Sequence, residues 1–161
     1  FTFRNRGPAP STVTRIFFDT GQDGILNEIA FLDNSDPGVK FRMNAGGNLP
    51  GGNSLAQRFR TTRGWAVSAA PPGPRNGIDP GEQLILYATP RSPAPENPLA
   101  EVLNELNSGS LRIGLHVQSI GANEGSEAFV TTPIVPEPSA VLLGAFGLIV
   151  VRTLRAGQVI T

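Results

Sequence analysis

The strict alternation of residues 111–118 constrains the fold of this chain more than any other feature. Apolar side chains occupy every second position: Leu111, Ile113, Leu115 and Val117. The positions between them carry polar or small residues: Arg112, Gly114, His116 and Gln118. Because successive side chains of a strand point to opposite faces, the pattern predicts an antiparallel strand with one buried face and a much more exposed polar face.

Further segments resemble short strands because they are rich in β-branched, aromatic or alternating apolar residues. They are residues 1–5, 12–19, 24–33, 39–43, 55–61, 64–68, 82–88 and 127–131. Turn-forming residues, 19 glycines and 15 prolines, separate them. About eight short strands with such turns predict a mainly β fold, an antiparallel β-sandwich of the jelly-roll or Ig-like type. A parallel α/β sheet is disfavoured, since helical patterns do not alternate with the strands.

One helix is expected near residues 98–107. Asn97 suits the N-cap, Pro98 suits the first helical position, and Gly109 suits a left-handed C-cap. Four apolar residues between them recur at helical spacing: Leu99, Val102, Leu103 and Leu106. This spacing predicts an amphipathic helix that covers one end of the β-structure.

Charge and cysteine content exclude several classes of function. The 13 basic and 13 acidic residues cancel, and the arginines are scattered, so the basic surface needed to bind nucleic acid is missing. The chain has no cysteine, which excludes a disulfide framework and a thiolate metal site. Phe1 rather than Met stands first, which indicates a fragment or processed form with any export signal upstream.

The composition changes near the C-terminus. Residues 132–138 carry three prolines, which favour an extended spacer. Ser139 is suited to cap a helix, and residues 140–151 are twelve consecutive positions without a polar side chain. Two arginines, Arg152 and Arg155, follow this apolar run.

The order of these parts resembles the PEP-CTERM sorting domain of Gram-negative bacteria. The resemblance implies that Pro136, Glu137 and Pro138 form the motif recognised by an exosortase, a membrane-embedded cysteine protease-like transpeptidase. It also implies that the apolar helix anchors the protein transiently in the inner membrane, with Arg152 and Arg155 on the cytoplasmic side. The signal is then processed, and the protein reaches the cell surface or the extracellular matrix.

A less specific resemblance covers the body of the chain. Segments of many small PEP-CTERM proteins recur in the same order as residues 51–53, 76–82, 111–118 and 125–129. This resemblance implies no biochemical activity.

Elementary physics agrees with the sorting interpretation. Arginines at one end of an apolar helix orient it by the positive-inside rule. Twelve residues of helix span about 18 Å, less than the roughly 30 Å hydrocarbon core. Extending the helix to residues 139–154 adds length, with Arg152 reaching the interface. The alternative is that residues 140–151 form an ordinary core helix or strand.

The expected organisation is a β-domain (1–132), a proline-rich linker (133–138), a transmembrane sorting helix (139–155) and a tail (156–161).

Residues that carry chemistry are sparse. His116 is the only histidine, and no serine-centred motif accompanies it, so we expect no enzyme and no cofactor. Asp19 and Asp23 are a weak candidate for calcium binding. The third and twelfth positions counted from Asp19 are Gly21 and Ala30, so an EF-hand is excluded and an acidic turn is the better interpretation.

The sequence therefore favours an exported structural protein of the bacterial surface or matrix, with the exosortase and the inner membrane as partners. The alternative is a module that binds the cell's own exopolysaccharide, with Trp65 and Tyr87 as candidate stacking residues, although a core position is the default expectation for Trp65. Exposure of both aromatic residues on one face would favour the module, and burial of both would favour the structural role. A cleft joining His116 to two carboxylates would favour an enzyme.

Overall fold

The computed structural model describes residues 1–133. The predictions for Pro136, Glu137 and Pro138, for the apolar helix, and for Arg152 and Arg155 lie outside the described residues. Within them the chain forms eight strands: β1 (Thr2–Arg4), β2 (Thr12–Asp19), β3 (Leu26–Asp33), β4 (Phe41–Arg42), β5 (Ala66–Ala69), β6 (Gln83–Pro90), β7 (Arg112–Ile120) and β8 (Gly125–Val130). The one α-helix of this part, α1, spans Pro98–Ser108.

The strands form two sheets in which every pair is antiparallel. One sheet has three strands in the order β1-β6-β3, and the other has five in the order β4-β5-β2-β7-β8. Apolar side chains from both sheets share one core, which includes Ile16, Phe18, Leu84, Leu86 and Leu111. For residues 1–133, the prediction of a mainly β, antiparallel domain with one helix is confirmed.

The helix begins and ends where its capping residues predict. The side-chain oxygen of Asn97 accepts a hydrogen bond from the Ala100 amide at 3.2 Å, which satisfies a free donor of the first turn. Gly109 ends the helix with φ 78°, a left-handed conformation that favours glycine. Val102 and Leu106 pack against the core, whereas other apolar side chains of α1 stay exposed.

The five-stranded sheet is covered on both faces, which the sequence pattern did not predict. Residues 55–61, expected to be a strand, belong instead to a loop that follows a short 3₁₀-helix at Gly52–Ser54. Leu49 and Phe59 of this connection pack with Phe17 and Ala66 into a second apolar cluster. The residues on either side of Phe17 in β2 belong to the main core, and successive side chains of a strand point to opposite faces. Phe17 therefore points to the outer face of the sheet, where this second cluster lies.

The second cluster overturns part of the prediction for β7. Leu111, Ile113 and Val117 are buried as expected, and Leu115 is half-buried. Arg112 was expected to be exposed, but only 7% of it is accessible, because the connection carrying Phe59 covers this side of the strand. His116 is half-buried.

Candidate ligand-binding surface

Two aromatic side chains lie together on the outer face of the three-stranded sheet. Phe31 of β3 and Tyr87 of β6 are direct cross-strand partners. Their ring centroids are 5.9 Å apart and the ring planes are inclined by 39°. Phe31 is 57% exposed and Tyr87 is 52% exposed, so two aromatic faces are presented to solvent side by side.

A β-bulge places Phe31 on this face. The pairing shifts between Ile29 and Phe31, so that Ile29 pairs with Ala88 and Phe31 pairs with Tyr87. In a regular strand Phe31 would share the inward face of Ile29, because side chains two positions apart point the same way. The extra residue at Ala30 turns Phe31 outward, which is how bulges commonly redirect a side chain.

An apolar groove of about 360 Å³ lies between α1 and β6. Its lining includes Leu86 and Tyr87 from the sheet, and Leu99, Val102 and Leu103 from the helix. Leu99 is 69% exposed and Leu103 is 50% exposed, although both are large apolar side chains. Large apolar side chains left exposed beside a groove are typical of interaction sites.

The structure separates the two aromatic residues that the sequence suggested as a stacking platform. Trp65 is only 3% exposed and packs edge-on against Phe18, with ring centroids 5.4 Å apart. A platform of Trp65 and Tyr87 is therefore wrong, and Phe31 is the actual neighbour of Tyr87. The sequence does carry a signal for the outward direction of Phe31. Two apolar residues, Phe31 and Leu32, are adjacent, which breaks the alternation of a regular strand.

The candidate calcium residues Asp19 and Asp23 line one recess with Glu105. The carboxylate of Asp19 is already engaged: it accepts hydrogen bonds from the Arg112 guanidinium and, at 3.0 Å, from the Arg60 amide. Among residues 1–133, no three His, Asp or Glu side chains are grouped closely enough to bind a metal ion.

His116 lies in a recess with Ser126 and Glu127. Partial burial lowers the pKa of His116, and the positive charge of Arg15 on the paired strand lowers it further. Glu127 is the one carboxylate that lines this recess, whereas the enzyme hypothesis required two. This recess therefore does not join His116 to two carboxylates.

Within residues 1–133, no helix is both long enough and apolar enough to cross a membrane. Comparison of the whole chain with protein-family models, with curated proteins and with solved structures gave no match. The functional interpretation therefore depends on the residues and geometry described above.

Proposed function

We propose that this chain is an exported surface or extracellular-matrix protein that is sorted by an exosortase through its C-terminal segment. The observation that carries the proposal is the order of Pro136, Glu137 and Pro138, the apolar run 140–151, and the arginine at 152. Their position supports it. The last strand of the described residues, β8, ends at Val130, a few residues before the motif.

The parts of the signal have separate physical tasks. Prolines on both sides of Glu137 disfavour a helix, so the motif is presented extended, as a protease-like enzyme needs. The apolar run supplies insertion into the bilayer, and Arg152 and Arg155 supply its orientation. The β-domain then remains outside the membrane and is released when the signal is processed.

The proposal is tested in a host that carries the matching exosortase. Glu137→Ala should leave insertion intact and block processing, so that an unprocessed form accumulates in the inner membrane. The matched control is Glu127→Ala, because Glu127 is an exposed glutamate of β8, and this variant should be processed normally. Leu148→Asp should hinder insertion itself, since a carboxylate in mid-helix costs about 3 kcal/mol on insertion scales.

Fractionation and intact-mass measurement distinguish the outcomes. The exported form should lack the segment after the cleavage site. An extracellular protein that still carries residues 140–160 within its folded core would contradict the proposal, and the apolar run would then be ordinary domain interior.

A second candidate function is binding of the cell's own exopolysaccharide. Two exposed aromatic rings, paired across the outer face of a sheet, favour it, because such rings can stack against the apolar faces of sugar rings. Glu28 is exposed and pairs with Thr89, two residues along β6 from Tyr87, so it adds a polar group to the same face of the sheet. The two functions are compatible, since a sorted matrix protein can also bind the matrix.

We also propose a more specific fold for the β-domain. Two antiparallel sheets that share a core support a β-sandwich of the jelly-roll or Ig-like type.

A further inference from the structure

We propose that the apolar groove between α1 and β6 is the docking site for this chain's own apolar segment, residues 140–151, before a membrane takes that segment up. The docking step itself does not require the exosortase. Release of the segment to lipid rests on the proposed sorting function.

The position at which the described chain ends supports this occupant. After β8, the Thr131 amide donates to the Ile113 carbonyl at 2.9 Å, which holds the chain beside the start of β7. The chain then passes Gly109, the C-cap of α1, where an added Cβ would lie 2.6 Å from Cγ of Pro133. The segment that follows Pro133 therefore starts at the C-terminal end of the helix that forms one wall of the groove.

The lengths of the groove and of the segment agree. The 11 residues of α1 give a wall about 16 Å long, and twelve residues in a helix are about 18 Å long. The six residues 134–139 between Pro133 and the apolar run span up to about 20 Å when extended. The linker is therefore long enough for the run to lie along the whole of α1.

The chemistry of the two surfaces also agrees. Every residue lining the groove except Tyr87 has an apolar side chain, and residues 140–151 carry no polar side chain. Leu99 and Leu103 are large apolar side chains left exposed on the described part of the chain, and docking would remove them and the run from water together. The groove would thereby keep the signal soluble until it meets a bilayer.

Disulfide trapping in the full chain tests the proposal, because the natural chain contains no cysteine. Leu103→Cys combined with Leu148→Cys should form an intramolecular disulfide about tenfold faster than a matched pair in which Leu55→Cys replaces Leu103→Cys. Leu55 is 40% exposed but lies away from the groove lining. Adding Leu99→Glu to the first pair should slow its crosslinking. This substitution should disturb folding little, because Leu99 is 69% exposed.

Equal rates of disulfide formation in the two cysteine pairs would overturn the docking proposal. Formation of intermolecular disulfides alone would also overturn it, and would identify another copy of the chain as the occupant of the groove. Vesicles of phosphatidylethanolamine and phosphatidylglycerol separate docking from sorting. Loss of the fast crosslink with vesicles supports both. A fast crosslink that persists with vesicles supports docking and overturns the sorting function, since the segment is then a fixed part of the domain.

Discussion

The guanidinium of Arg112 forms an ion pair with the carboxylate of Asp19 at the end of the β2–β7 pairing. The same guanidinium donates to the carbonyl oxygens of Gln57, at 2.8 Å, and Arg58. It also lies 5.4 Å from the ring centroid of Phe59. One buried cation therefore fastens the connection that covers the outer face of the five-stranded sheet.

Removing this cation should destabilise the domain strongly. Arg112→Leu leaves the Asp19 side chain, which is 15% exposed, without its partner, and we expect a loss of about 3 kcal/mol in the free energy of unfolding. Arg112→Lys should restore only part of it, because an ammonium cannot match the planar fork of the guanidinium. Urea unfolding measures both. The control is Arg60→Leu, an exposed arginine, and a similar loss there would contradict the assignment.

The close packing around Gly114 makes a second prediction. A Cβ at this position would lie 3.0 Å from both Cδ atoms of Leu49 and 3.1 Å from Cζ of Phe59. Gly114→Val should therefore overpack the second cluster and destabilise the domain by about 2 kcal/mol in urea unfolding. Gly46→Ala is the control, because nothing lies within 4 Å of a Cβ there, and its effect should stay within about 0.5 kcal/mol.

The aromatic pair predicts where exopolysaccharide would bind. Tyr87→Ser and Phe31→Ser should each weaken binding to the producer's own polysaccharide about tenfold in affinity electrophoresis, since each removes one stacking face. Both side chains are more than half exposed, so the free energy of unfolding should change little. Phe129→Ser, at a residue 53% exposed on the other sheet, is the matched control. Unchanged binding by both test variants would exclude this surface.

His116 predicts a pH dependence of stability. Burial and Arg15 lower its pKa in the folded state, so the neutral imidazole is favoured by folding. The contribution of His116 to the free energy of unfolding is complete above the unfolded-state pKa of 6.5. It is lost as the pH falls through that value toward the lower pKa of the folded state. Urea midpoints between about pH 7.5 and pH 5 should fall less steeply for His116→Gln than for the natural chain. Identical slopes would assign the pH dependence to other groups. No loss of a catalytic activity is expected from His116→Ala.

Local patterns were sufficient for the elements that depend on neighbours in sequence. The cap at Asn97, the left-handed stop at Gly109 and the alternation of residues 111–118 each express a rule that acts over a few residues. These rules are sufficient to predict α1 and β7 without any long-range contact. The C-terminal motif is equally local, and it stays a prediction.

Tertiary structure decided which side chains are covered, because coverage depends on segments distant in sequence. Arg112 is buried only because the connection through Phe59 folds over the strand that carries Arg112, and Phe59 lies 53 residues earlier in the chain. Trp65 is buried because Phe18 packs against it, although isolated aromatic residues fit either a core or a surface. Phe31 is exposed because a bulge, which depends on pairing with β6, reverses the direction of its side chain. Alternation in sequence specifies two faces of a strand, and only the packing of other segments decides which of them meets water.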